Sequence, residues 1–364
     1  MIRTLTLLIF MSIYSVYLPA CEDASSDSTK VQTSGMSIGG AQVGEQEDEP
    51  RGGIRAPMMD VEIVSAGEMT IDMVTAEEIT TDMLIGSEMS PIDAMPPSQD
   101  AELPLQPLPT GISMHSVEQL IDGIQTQRRY LIHAPDTLEA NRMYPIVLAL
   151  HGSGGRGESF RPRLRRYVED QRFIGVYPDG HNNVWNLGGQ ESNADDVSFL
   201  SDVLSEVSTY AHLDTERVFI LGFSNGAGMA HQMAIETHSI KGIATVVTQL
   251  SRGNEPTAQT QPVAVLQILG MQDPLIPYQG GMGPQNLDFY PGERSAELWA
   301  EHNQCTLPGE LNDNDERIKI TYIGCLDDVK VIHYGFKDAN HTPPQRVDGM
   351  SLIEVAIRFF EETP

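Results

Sequence analysis

Val218-Phe219-Ile220-Leu221-Gly222-Phe223-Ser224-Asn225-Gly226-Ala227-Gly228-Met229 is the stretch that decides the fold. An apolar run of strand character leads into Gly-x-Ser-x-Gly, and a helical stretch follows. This is the strand, sharp turn and helix that raises a nucleophilic serine at the end of a sheet. Gly222 and Gly226 fit a turn in which the strand and helix backbones converge and leave little room for side chains. Ser224 would then stand at the strand's tip with its hydroxyl exposed. The motif alone recurs by chance; its setting makes it specific.

A serine hydroxyl is a weak nucleophile at neutral pH, so a histidine must take its proton and an acid must orient that histidine. In the order serine, acid, histidine, both partners lie downstream. His231 and His238 fall on the helix after the turn, His302 reads as part of a later helix, and His333 lies inside a strand pattern. His341 alone falls in a loop after the last strand, in Lys337-Asp338-Ala339-Asn340-His341-Thr342-Pro343-Pro344. The acid should end a strand between the two. Val263 to Leu269 is such a strand, and it places Asp273 at the mouth. Asp338 is the rival, but it stands only three residues from His341 and has no strand to hold it.

A tetrahedral oxyanion needs donors. One is expected from the backbone N–H of Asn225. The other should come from His151-Gly152-Ser153-Gly154-Gly155, with Ser153 favoured and Gly152 or Gly154 as alternatives. His151 precedes the serine and reads as structural.

Outward from this centre, short strand-like runs alternate with helical ones. Strands are expected at Arg129 to Ala134, Ile146 to Leu150, Phe173 to Tyr177, Val218 to Leu221, Ile243 to Val247, Val263 to Leu269 and Val329 to Tyr334. Helical spacing links Val197, Leu200, Val203, Leu204 and Val207. The class is α/β, a mostly parallel sheet flanked by helices. Only Thr248 to Gln261 is available for a lid between the strand after the nucleophile helix and the strand leading to Asp273, so no large lid is expected. Asp195 and Asp196 precede a helical run and read as N-capping residues. The arginines at 156, 161, 163, 165, 166 and 172 read as a solvated helix face paired with Glu158, Glu169 and Asp170, with recognition of an anionic substrate as the alternative. Trp185 is placed either on substrate or in packing.

Tyr130 to Pro135, Leu150-His151-Gly152-Ser153-Gly154-Gly155, Tyr177-Pro178-Asp179-Gly180, Val184-Trp185-Asn186, Asp195 to Leu200, Gly222 to Ala227, Asp273-Pro274 and Asn340-His341-Thr342 occur in one order. That ordered set resembles the polyhydroxybutyrate depolymerase and feruloyl esterase-like family of secreted α/β hydrolases over residues 113 to 364. The resemblance implies an α/β-hydrolase fold, carboxylic ester hydrolysis, a triad of Ser224, Asp273 and His341, and a disulfide between Cys305 and Cys325. The family often carries glycines before this histidine and Thr-Trp-Pro after it. Here Lys337 to Asn340 precede it and Thr342-Pro343-Pro344 follow, which puts the acyl-binding wall in question.

The rest of the chain sets the compartment. Met1 to Thr4 is a short cationic start, Leu5 to Leu18 is apolar, and Leu18-Pro19-Ala20-Cys21 closes the segment. It looks like a lipoprotein signal with Cys21 as the acylated residue, ordinary secretory cleavage being the alternative; the apolar run is short for a bilayer span. Residues 22 to 112 carry 18 acidic residues against Lys30, Arg51 and Arg55, with a degenerate repeat of about ten residues, and read as a disordered acidic linker. With Cys21 lipidated, Cys305 and Cys325 remain as an even pair, with two free thiols as the alternative. Over the 364 residues, 51 acids against 23 bases give a formal charge of −28, which excludes a duplex nucleic-acid binder. The sequence therefore reads as an exported serine esterase without metal or organic cofactor, acting on an ester that is polymeric in one reading. A serine peptidase of the same fold, or a surface-binding protein with a vestigial triad, is the alternative.

Overall fold

The computed structural model describes residues 104–188, 192–342 and 344–364. The expected signal segment, Cys21 and all but the end of the expected linker lie outside the described residues.

Ten strands form one sheet: β1 (Gly111–Ile121), β2 (Ile124–Ala134), β3 (Tyr144–Leu150), β4 (Ile174–Pro178), β5 (Leu213–Phe223), β6 (Ile240–Val246), β7 (Ala264–Gly270), β8 (Glu310–Asp313), β9 (Arg317–Tyr322) and β10 (Val331–Phe336). Their order is β1-β2-β4-β3-β5-β6-β7-β10-β9-β8. From β4 to β10 every neighbouring pair is parallel, while β1, β2, β8 and β9 join antiparallel at the two edges. The parallel centre explains its composition. Strands covered on both faces must be apolar throughout, and every residue of β4 and β7 is buried.

Five helices cover the sheet: α1 (Arg161–Glu169), α2 (Asp196–Val207), α3 (Asn225–Glu236), α4 (Gly292–His302) and α5 (Leu352–Glu361). α1 and α5 belong together, since Arg172 just after α1 reaches Glu354 and Glu361 at 3.0 and 2.6 Å. α5 packs down on β5 through Phe360, whose ring stacks on Phe219 with centroids 4.8 Å apart. α3 is joined to α4 by the Trp299 indole N–H, which donates to His231 Nδ1. This is an α/β-hydrolase fold. Each of the seven expected strands lies within or overlaps a strand of the sheet.

Four expectations need correction. The packed chain begins before residue 113, because Leu108 is buried in the core and Gln106 forms a parallel bridge to Tyr210. His238 lies beyond the end of α3 rather than on it. The six arginines are not one paired face: among the described residues Arg165, Arg166 and Arg172 meet carboxylates, and Arg156, Arg161 and Arg163 do not. Asp195 caps α2 by accepting from Ser198 N–H, as an N-cap should, but Asp196 is buried and paired with Arg128 at 2.5 Å. A disulfide joins Cys305 to Cys325.

Candidate active site

Ser224 sits between β5 and α3 with φ 52° and ψ −122°, a left-handed conformation that a residue with a side chain adopts only under strong constraint. The constraint is close approach on both sides. A Cβ on Gly222 would lie 2.4 Å from Gly226 O, and one on Gly226 would lie 2.2 Å from Leu150 O. Thr248 adds a third hold by donating its hydroxyl to Ser224 O at 2.9 Å.

Ser224 Oγ and His341 Nε2 are 2.8 Å apart, and His341 Nδ1 is 2.7 Å from Asp273 Oδ2. An ionised carboxylate only accepts, so Nδ1–H donates to Asp273 and leaves Nε2 free to accept from Ser224 Oγ–H. Asp273 is held for this task. Its other oxygen, Oδ1, accepts from the N–H groups of Leu275 and Ile276 at 2.8 and 3.0 Å, a turn that aims Oδ2 at the imidazole. The loop of His341 crosses directly over the end of β7. A Cβ on Gly270 would lie 2.2 Å from Asn340 O, and Gln272 N–H donates to Ala339 O at 2.8 Å. Asp338 is exposed and makes no bond to His341.

On the opposite side of Ser224 lies the loop after β3. A Cβ on Gly152 would come within 3.3 Å of Ser224 Cβ, so this backbone lies against the serine. Gly154 N–H donates to Asn183 O and Gly155 N–H to Gly152 O, at 2.8 and 3.0 Å. The Gly154 alternative for an oxyanion donor is therefore spent, leaving Gly152 and Ser153. Asn225 opens α3, where the first N–H groups have no partner within the helix.

Sequence reasoning missed how these two donor segments are tied together. The Asn225 side chain accepts from Trp185 N–H at 2.6 Å and donates to Trp185 O at 2.9 Å. The Trp185 indole N–H donates to His151 O at 2.8 Å. His151 in turn accepts from Gly180 N–H through Nε2 and donates to Gly152 O through Nδ1. Burial holds its pKa below the ordinary imidazole value, which keeps it neutral for this paired role. Asp196 anchors the far end of the Trp185 loop by accepting from Asn186 N–H at 2.7 Å.

Trp185 corrects the expectation of a substrate contact. Its side chain is 0% exposed and has no face to offer a ligand, so it is a packing residue behind the site. Among the described residues no group of three or more His, Cys, Asp or Glu side chains is arranged to hold a metal ion.

No protein-family model matches the chain. It is 27% identical over 236 residues to feruloyl esterase C of Emericella nidulans, covering 62% of this chain and 80% of that protein. It is 23% identical over 220 residues to feruloyl esterase B of Piromyces equi, covering 56% of this chain and 40% of that one. Relatives from Aspergillus flavus, niger and oryzae are matched over 58 to 62% of their own length. The solved structure of an acetyl xylan esterase from Aspergillus awamori aligns with a TM-score of 0.49 at 16% identity, over 68% of this chain and 99% of that one. The α/β-hydrolase fold follows from strand order and direction alone.

Proposed function

From the premise that this chain is a feruloyl esterase-like α/β hydrolase, and so a carboxylic ester hydrolase, we propose that it is an exported serine esterase acting through Ser224, His341 and Asp273. The observation that carries this reading is the unbroken hydrogen-bonded run from Ser224 Oγ through both nitrogens of His341 to Asp273.

Chemically, His341 Nε2 takes the hydroxyl proton as Ser224 Oγ bonds to the ester carbonyl carbon. The carbonyl electrons move onto oxygen, where the N–H groups of Asn225 and of Ser153 or Gly152 stabilise the charge. Asp273 stabilises the imidazolium without taking its proton. Collapse of the tetrahedral species expels the alcohol, which receives the proton from His341. Water then repeats the sequence on the acyl-enzyme, releases the acid and restores Ser224.

The substrate class is drawn from a site for which the sequence leaves no large lid, and from the relatives. Esters borne on a large partner, such as feruloyl or acetyl groups on polysaccharide or a hydroxyalkanoate polyester, fit it best. Turnover of matched feruloyl, acetyl, 3-hydroxybutyryl and amide substrates tests the assignment. Ester turnover that disappears in Ser224→Ala supports it. An amide preference would transfer the site to a peptidase, and no turnover of any ester would leave the triad vestigial. Export is tested separately by the mass of the mature N-terminus: diacylated Cys21 supports the anchored form, and an unmodified N-terminus refutes it.

A further inference from the structure

Six arginines lie between residues 156 and 172, and half of them already have carboxylates. Arg165 pairs with Glu169 at 2.6 Å, Arg166 lies 3.7 Å from Glu354, and Arg172 reaches Glu354 and Glu361. Among the described residues, no carboxylate comes within ion-pair distance of Arg156, Arg161 or Arg163. Acidic residues outnumber basic ones in the sequence, yet among the described residues these three neighbouring guanidiniums have no carboxylate partner. It also opposes helix electrostatics. Arg161 and Arg163 occupy the first turn of α1, which contains no acid, although stability favours carboxylates at that end and cations at the other. A departure from such a local rule points to function.

Two of the three are linked to segments that build the site. The Arg163 guanidinium lies 5.8 Å from the ring centroid of Phe223, the residue before Ser224, and Phe223 packs in turn on Phe160. Arg156 follows the loop containing Ser153 and lines a cleft of about 280 Å³ with Thr126, Gln127, His181, Asn182 and Asn183. The carbonyl of Asn183 holds that loop through Gly154 N–H. Asp179, the acid in the cleft, is engaged by Arg129 at 2.6 Å and by Gly157 N–H at 2.8 Å. Arg161 is found neither in that cleft nor over the Phe223 ring.

Deepening the esterase reading, on which it rests, we propose that Arg156 and Arg163 select ester substrates that bear a carboxylate. The carboxylate could belong to the acyl group or to the alcohol, as in a uronic-acid residue of a polysaccharide. Both arginines are exposed, so the expected preference is modest, about fivefold.

The test compares kcat/KM within two matched pairs. Aryl hexanoate against aryl hydrogen adipate probes the acyl side, and acetylated glucose against acetylated glucuronic acid probes the alcohol side. The proposal expects the anionic member to be favoured in at least one pair, with the preference shrinking as salt is raised to about 0.5 M. It expects the anionic-to-neutral ratio to fall towards one in Arg156→Gln or Arg163→Gln, to be largely restored by lysine at the same position, and to stay at the wild-type value in Arg165→Gln. Equal turnover of both members in both pairs, or a ratio unmoved by either glutamine variant, overturns it. Failure of the wild type to cleave the neutral esters at all would instead overturn the esterase reading.

Discussion

The site consists of residues whose roles are set by one or two bonds each. Asp273 divides its oxygens, Oδ1 taking two backbone N–H groups and Oδ2 taking His341. Asp273→Asn keeps the turn, because an amide oxygen can still accept those N–H groups, but it offers the imidazole a weaker partner and favours the wrong tautomer. Its kcat on a short aryl ester should fall about 10⁴-fold with melting temperature almost unchanged. Ser224→Ala should abolish turnover, again with little change in melting, and retention of most activity in the purified variant would refute the mechanism. Asn225 behaves differently. Its backbone N–H is the proposed oxyanion donor, while its side chain spans both polar groups of the Trp185 peptide from a site 7% exposed. Asn225→Ala leaves that buried N–H and C=O unpaired, so it should lower stability by about 1–3 kcal/mol and reduce kcat together, as read by thermal melting and ester kinetics.

At the scale of elements, the interior of the sheet was legible and its edges were not. The parallel strands are buried on both faces and announce themselves as continuous apolar runs. β1 alternates, but its exposed positions include Met114 and Leu120, 64% and 65% exposed, while Ser113, His115 and Gln119 face inward. An inverted pattern carries no hydrophobic signal for a strand. β8 is exposed at every position and charged, which suits an edge that must not pair with another chain. The connection from β6 to β7, residues 247–263, is pinned down, with Tyr290 N–H donating to Leu250 O and Arg252 N–H donating to Asp288 O. It has no apolar face to close over a lipid. Short acyl and hydroxycinnamoyl esters should therefore show higher kcat/KM than long-chain lipid esters, with no jump in rate at an oil–water interface. The Cys305–Cys325 link closes a loop of about 20 residues between α4 and β10, worth about 3 kcal/mol in the chain-entropy model. Reduction should lower the melting temperature, and an unchanged transition would show that packing alone holds this segment.

For the whole molecule, buried histidines set the response to acid. Burial pushes His231 and His333 down to about 3, and it lowers His115, His133 and His151 as well. Their folded values lie below the unfolded value near 6.5, so between about pH 6.5 and 3 the unfolded chain binds more protons and stability falls as pH falls. Each fully buried histidine contributes a slope of up to about 1.4 kcal/mol per pH unit in that window. Melting temperature should drop on going from pH 7 to 5, before carboxylates titrate, and the drop should be smaller in His333→Gln. The sequence by itself determined the nucleophile turn, the core strands and the order serine, aspartate, histidine, because these rest on local backbone demands and on runs of apolar residues. It also made His341 and Asp273 the choices by elimination. Only the tertiary structure decided that β7 and the His341 loop cross closely enough to complete the hydrogen-bonded run, since that contact spans 68 residues of chain. It alone buried Trp185, removed Gly154 from the oxyanion candidates, and showed which arginines of one run meet a carboxylate among the described residues. Those outcomes depend on which distant groups meet, and partners far apart in sequence leave no mark in spacing or composition.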